Sequence, residues 1–364
     1  MKELDIRQLP PLLQNAKGEA VTSPEAWASR RREIMTLLED ELFGRLPACE
    51  YTWQCTQEFE EQHYYLGGKG LIRVVRMDVT VNGKPFSWRF HYSLPKCDKP
   101  VPLFLQIGFS PRLPFATIPV EEINGGGFGL AFFDYQQVST DDDDFTSGLS
   151  ALFYPDGRRG PHDGGKIALW SWASSRIMDY LCTVPEIDHH RVTVIGHSRL
   201  GKTALWAGAR DERFCGVAAI QSGCGGAAIA RQNTGETVAS ITEHFPFWFA
   251  PAYAAYADRE EAMPFDQHFL AAMAAPRKLY ISSAAGDLWA DPLGEWLCCH
   301  AVSPVYELLG RGGVQPSAAP GDDITLHQGQ VAYHRRPGTH FFSRADWQRV
   351  MAYFAHAEDV MNHG

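Results

Sequence analysis

The stretch Arg191-Val192-Thr193-Val194-Ile195-Gly196-His197-Ser198-Arg199-Leu200-Gly201-Lys202-Thr203-Ala204-Leu205-Trp206-Ala207-Gly208-Ala209-Arg210 decides the fold. A β-branched apolar run ends at Gly196 and a helix-compatible segment begins near Arg199, so Gly196, His197 and Ser198 must turn the chain. That is a tight strand-to-helix turn with Ser198 at its apex. Gly196 to Thr203 matches G-x-x-x-x-G-K-[ST], a loop that cradles phosphates with backbone N–H groups, Lys202 and Thr203. The same letters form a nucleophile elbow, in which a strained turn lifts a serine above a parallel sheet, although the second glycine falls one place late. In a third reading Ser198 merely caps the helix.

The rest of the chain favours the elbow. A phosphate loop needs a later apolar strand ending in an acid, and Gly216-Val217-Ala218-Ala219-Ile220 runs instead into Gln221-Ser222-Gly223. An elbow needs an acid and then a histidine, each just past a downstream strand. The strand from Arg277 to Ser283 is followed by Asp287, and that from Gly329 to His334 leads to His340. A serine hydroxyl needs a neutral imidazole to take its proton, and the imidazole needs a carboxylate to fix its tautomer. Ser198, His340 and Asp287 fill those roles. The Arg199 N–H, just past the serine, is expected to meet the oxyanion, with the guanidinium as a second donor if it points inward. The loop Gly108-Phe109-Ser110 is where such folds supply a further N–H.

Working outward, Ser23-Pro24-Glu25 opens a helix running to Gly44, and residues 1–50 are expected to form a helical lid over the sheet edge. From Tyr51 to Leu94 the pattern alternates, with Asn82-Gly83 turning between strands, an antiparallel entry to the sheet. After Pro100 the strands become short and continuously apolar, beginning with Val101 to Ile107 and Gly129 to Phe133, as buried parallel strands do. Helices are expected over Lys166–Cys182, Arg199–Arg210, Leu293–Leu309 and from Arg344. The result is one α/β domain over 1–364: a three-layer α/β/α sandwich on a mostly parallel sheet with antiparallel N-terminal strands. Residues 227–276 form an insertion whose aromatics, Trp248 among them, suit a carbohydrate pocket. The run Asp141 to Asp144 lacks the spacing of a calcium loop and is expected to be solvated surface. Trp170 and Trp172 suit packing better than a sugar pocket.

Composition bounds the partners. A hydrophobic content of 45% with 21% charged residues describes a globular chain with a sizeable core. The net charge of −10, without a Lys/Arg run, argues against nucleic acid. No apolar run is long enough to span a bilayer, and the N-terminus lacks a secretory core, so a cytoplasmic enzyme is expected. Eight scattered cysteines without C-x-x-C, and fourteen histidines without H-E-x-x-H, point to neither a disulfide framework nor a metal. No cofactor is expected, and the oligomeric state is open.

Gly196-His197-Ser198-Arg199-Leu200-Gly201-Lys202 resembles the G-C-S-R-x-G-K elbow of the glucuronoyl esterases, the family-fifteen carbohydrate esterases. Similar too are Ser222-Gly223-x-Gly225-Gly226, Phe245-Pro246-x-Trp248-Phe249, Asp287-x-Trp289-x-Asp291-Pro292 and Gly338-Thr339-His340. The resemblance covers about Val101 to the C-terminus and implies a cofactor-free α/β-hydrolase that cleaves glucuronate esters. It further implies that Arg199 completes the oxyanion hole, Lys202 contacts the sugar, Trp289 packs on the uronate ring and Glu236 binds a sugar hydroxyl. Two departures stand out. Many members place their acid where this chain has Gln221, so that role passes to Asp287, with Asp291 and Glu295 as substitutes. His197 replaces the cysteine that secreted fungal members use in a disulfide. With no export signal, a small uronate ester is the expected substrate; a sugar O-acetyl esterase, a silent carbohydrate-binding relative and a nucleotide binder are the alternatives.

Overall fold

The computed structural model describes residues 7–112, 118–315 and 321–355. Among them lie ten strands in one sheet: β1 (Tyr51–Glu61), β2 (Gly70–Val81), β3 (Lys84–Pro95), β4 (Val101–Gly108), β5 (Gly129–Asp134), β6 (Ile187–His197), β7 (Gly216–Ile220), β8 (Lys278–Ala284), β9 (Ile324–Leu326) and β10 (Val331–Arg336). Their order is β1-β2-β3-β5-β4-β6-β7-β8-β10-β9. Strands β5, β4, β6, β7, β8 and β10 run parallel, while β1 to β3 enter antiparallel and β9 closes the far edge antiparallel. The Asn82-Gly83 turn holds positive φ at both residues, which a two-residue hairpin of right-handed twist requires.

Successive residues of a strand face opposite sides, and here both sides are dry. Leu103, Leu105, Val194, Val217, Leu279, Ile281 and Tyr333 join one core. Phe104, Ile195, Ala218, Tyr280 and Ala332, their neighbours in sequence, join a second. The first core is covered by α1 (Pro24–Glu41), α2 (Lys166–Leu181), α3 (Arg199–Arg210) and α4 (Pro292–Leu308). The second lies under α5 (Arg344–Ala355), through Trp347, Val350, Tyr353 and Phe354. That is the expected three-layer sandwich.

Within residues 7–50, helix α1 buries Trp27, Ile34 and Leu38 in the first core. Its Arg31 donates to the carbonyls of Ala209 and Met273, at the C-terminal end of α3 and beyond the helix Gln267–Ala272. This one cation therefore meets the negative ends of two helices. Trp170 is fully buried and donates its indole N–H to Ser139 O at 3.0 Å, so it packs the core. The third-last strand, β8, and the last long one, β10, pair from Leu279↔Val331 to Ala284↔Arg336, which sets side by side the two loops that follow them. No helix among the described residues is long and apolar enough to cross a membrane.

Phe104 stands at the centre of the second core, with ring contacts to Phe128, Trp347 and Phe354. Phe104→Ala should cost roughly 3–5 kcal/mol in urea unfolding; a loss below about 1 kcal/mol would show this face to be loosely packed.

Candidate active site

Strand β6 ends at His197, helix α3 begins at Arg199, and Ser198 between them holds φ 59 and ψ −129. Non-glycine residues avoid that region, so the surrounding contacts must impose it. The Ser198 N–H donates to Ile220 O at 2.9 Å, and its carbonyl accepts from Gly201 N at 2.9 Å. A Cβ on Gly196 would lie 2.0 Å from Leu200 O, so the turn admits only glycine there. Ser198 occupies the N-cap position yet its side chain caps nothing, which removes the capping reading. The Arg199 N–H opens α3, where helix N–H groups lack intrahelical partners and the dipole favours negative charge.

The residues a phosphate loop would present are turned elsewhere. Lys202 is buried, its Nζ donates to Ser222 O at 2.6 Å, and burial lowers its pKa. Thr203 Oγ1 donates back to Arg199 O at 3.0 Å. Lys202 is thus anchored on the turn after β7, and Thr203 is spent within its own helix.

Asp287 follows β8 and His340 follows β10, and their loops are joined by Ala285 N to Arg336 O and Gly286 N to Gly338 O, both 2.8 Å. His340 Nδ1 lies 2.6 Å from Asp287 Oδ2. The carboxylate thereby accepts a hydrogen bond from Nδ1–H and leaves Nε2 as the nitrogen able to accept a proton. Asp287 is buried, whereas the His340 side chain is 42% exposed. The ring of His197 lies 4.5 Å from that of His340, which sets the imidazole against the elbow. Burial, with the His340 charge second, presses the His197 pKa to about 3, so this neighbour is a neutral ring.

Gln221 stands where the resembled family often has its acid, and the structure gives it a different task. Its Oε1 accepts from Phe341 N at 2.9 Å and pairs with His197 Nε2 at 3.2 Å, while its Nε2 donates to Phe341 O at 3.3 Å. The amide clamps the backbone next to His340. Asp291 caps α4 through Gly294 N at 3.0 Å and also takes Thr234 Oγ1. Glu295 is fully buried and accepts from Ser222 N (2.7 Å), Gly223 N (3.1 Å) and Ser283 Oγ (2.6 Å), and burial pushes its pKa up to about 8. Of these acids, Asp287 holds the histidine.

The run of four aspartates divides, against expectation. Asp142 and Asp144 cap turns near the surface, as solvated acids do. Asp141 instead keeps only 10% of its side chain exposed and forms an ion pair with Arg199. It also accepts from Tyr135 OH and Trp248 Nε1, both at 2.7 Å. The loop is turned inward because an arginine beside the elbow needs a counter-charge, and no sequence signal separated this aspartate from its neighbours. The Arg199 guanidinium also lies 4.6 Å from the Trp248 ring, so it points into the site. Glu236 is buried with Oε2 4.0 Å from Lys202 Nζ, and its N–H donates to Trp289 O at 2.8 Å. A Cβ on Gly235 would lie 2.3 Å from that carbonyl, so the insertion is pressed onto the Asp287 loop. Trp289 itself is 59% exposed. A cavity of about 1030 Å³, lined by Trp27, Arg31, Arg191 and Lys278, lies at the opposite edge of the sheet and shares nothing with these residues.

A serine on a strained strand-to-helix turn, with an acid and a histidine after later parallel strands, defines the α/β-hydrolase class. Comparison with known proteins narrows it. A family model for the fungal glucuronyl esterases matches residues 77–310. A carbohydrate esterase from an unknown prokaryotic organism is 33% identical over 96% of this chain and 89% of its own. The 4-O-methyl-glucuronoyl methylesterase of Podospora anserina is 28% identical over 80% of this chain and 58% of its own length. Among solved structures, a glucuronoyl esterase from Solibacter usitatus superposes with a TM-score of 0.86 at 34% identity, covering 96% of this chain and 97% of that one. A promiscuous family-fifteen esterase from a marine bacterial metagenome gives 0.88 at 32%, covering 96% of both. The chain belongs to the glucuronyl esterase family and is a carboxylic ester hydrolase.

Asp141→Asn keeps the shape of the buried side chain and removes the charge that faces Arg199. It should lower kcat/KM for ester hydrolysis by about 10- to 100-fold with little change in thermal midpoint; an unchanged kcat/KM would separate the ion pair from activity.

Proposed function

We propose that the chain hydrolyses an ester of a glucuronate-type sugar acid through an acyl-enzyme on Ser198. The observation that carries this reading is the 2.6 Å pairing of His340 Nδ1 with Asp287, set against the elbow by the His197 ring. Ser198 Oγ attacks the ester carbonyl and gives its proton to His340 Nε2. The oxyanion is met by the Arg199 N–H and guanidinium. Collapse breaks the ester C–O bond, and the leaving alkoxide takes the proton from His340. Water then repeats the sequence and frees the sugar carboxylate, with His340 again the base.

The pocket supports a sugar acyl group. Lys202 uses one donor on Ser222 O, and its remaining two can address substrate oxygens. Glu236 stands beside it as an acceptor for a hydroxyl, and Trp248, from the insertion, lies against the Arg199 guanidinium. The exposed indole of Trp289 offers a flat face for a pyranose ring. Relatives named 4-O-methyl-glucuronoyl methylesterase, and a similar fold solved with methyl 4-O-methyl-glucopyranuronate, support the uronate over other acyl groups. The promiscuity ascribed to one similar structure favours a second reading, removal of acetyl groups from sugars on the same three residues. All eight cysteines are free thiols, which supports a reducing compartment such as the cytoplasm, a placement that cell fractionation tests.

Methyl and benzyl glucuronate should be hydrolysed with a higher kcat/KM than p-nitrophenyl acetate or acetylated xylooligosaccharides. Ser198→Ala should abolish turnover, and Asp287→Asn should lower kcat by about 10³- to 10⁴-fold. Full activity of Ser198→Ala would end the acyl-enzyme reading, and a preference for acetyl esters would transfer the chain to the second one.

A further inference from the structure

Arg336 is the last residue of β10, buried, and four positions before His340. Its Nε donates to both carboxylate oxygens of Asp346, at 2.8 and 2.9 Å. Its Nη1 donates to Pro337 O at 2.9 Å, and its Nη2 to Thr339 O at 3.3 Å and to Phe341 O. The alternate carbonyls around His340 thus all turn inward onto one guanidinium. The loop is wound so tightly that a Cβ on Gly338, which holds φ +104, would lie 2.8 Å from Nη1. A planar fork of donors can span three carbonyls and a carboxylate at once; an ammonium, a point charge with three donors, cannot.

The anchor is itself fixed. Asp346 is fully buried on the first turn of α5 and accepts from Ser343 N (2.7 Å), Ser343 Oγ (2.6 Å) and His334 Nε2 (2.7 Å). Burial alone would raise its pKa, but the His334 bond and its other partners, Arg336 among them, hold it at about 2. His334 passes the chain on, its Nδ1 2.7 Å from Tyr280 OH in the second core. The position of the histidine loop is therefore tied through one arginine to the packed layer beneath α5. Within that loop Gln221 holds Phe341 alone.

We propose that Arg336, anchored by Asp346, is the positioning residue for His340. It fixes the arc of the loop so that the imidazole meets Asp287 on one nitrogen and Ser198 on the other. This rests on the reading of His340 as the general base. Because the arginine touches neither substrate nor reacting atoms, its loss acts on kcat through geometry and leaves the sugar pocket of Lys202, Glu236 and Trp289 intact.

The test compares Arg336→Lys and Gly338→Ala with wild type and Ser198→Ala, measuring kcat and KM on benzyl glucuronate, labelling of Ser198 by a fluorophosphonate, and thermal midpoint. Gly338→Ala serves as the second variant because it crowds the guanidinium from an exposed position without removing a buried charge. Both should lower kcat and the labelling rate together by about 10²-fold, with KM changed less than about threefold. Millimolar guanidinium should restore part of the activity of Arg336→Ala and leave wild type unchanged. Wild-type kcat in Gly338→Ala, or a rise in KM alone in either variant, would overturn the positioning role. Activity surviving in Ser198→Ala would instead show that the underlying esterase reading had failed.

Discussion

One hydrogen bond joins side chains 53 residues apart, and the function of the molecule depends on it: His340 Nδ1 to Asp287 Oδ2 at 2.6 Å. Neither residue is held there by its own loop alone. The bond exists because β8 and β10 are parallel neighbours in register, so their following loops leave the sheet side by side and exchange backbone hydrogen bonds at once. In an open parallel sheet, functional groups gather beyond the carboxyl ends of the strands. Here β6 brings Ser198, β7 brings Gln221, β8 brings Asp287 and β10 brings His340 to that one edge.

Much of the polar interior exists to keep this edge in place. Glu295 ties the turn after β7 to Ser283 of β8, and Lys202 reaches the same turn from α3. The amide of Gln221 holds Phe341 by both its N–H and its C=O, which a carboxylate, having no donor, would not do. That accounts physically for an amide at a position where the resembled family often carries its acid: once Asp287 supplies the charge, the site gains more from a donor and an acceptor on the histidine loop. His197 fits the same logic. As a neutral ring it packs against Phe109, Phe342 and His340.

The elbow and the placement of Asp287 and His340 after successive strands were legible because they depend on local signals: a β-branched run, a glycine that must turn, and loops that follow apolar strands. The parallel sheet was legible from continuous apolar runs, since both faces of those strands are buried. Asp141 was not, because nothing in four successive aspartates marks the one that turns inward to Arg199; only the fold brings Arg199 and Trp248 to it. Strand β9, three residues long, fell below any periodic signal. The grip of Arg336 on Pro337, Thr339 and Phe341 was equally hidden, as it is made by backbone carbonyls, which carry no sequence identity.

The central claim is that the carboxylate after β8 makes the imidazole after β10 a base for the hydroxyl at the elbow. The most direct measurement is the rate at which a fluorophosphonate modifies the protein, with the modified residue found by mass spectrometry, in wild type and in Asp287→Glu and Gln221→Ala. The account predicts a single label on Ser198, slowed by about 10²-fold or more when the carboxylate is displaced in Asp287→Glu and less when the clamp is trimmed in Gln221→Ala. Labelling of Ser198 at the wild-type rate in Asp287→Glu, or a label on another residue, would contradict it.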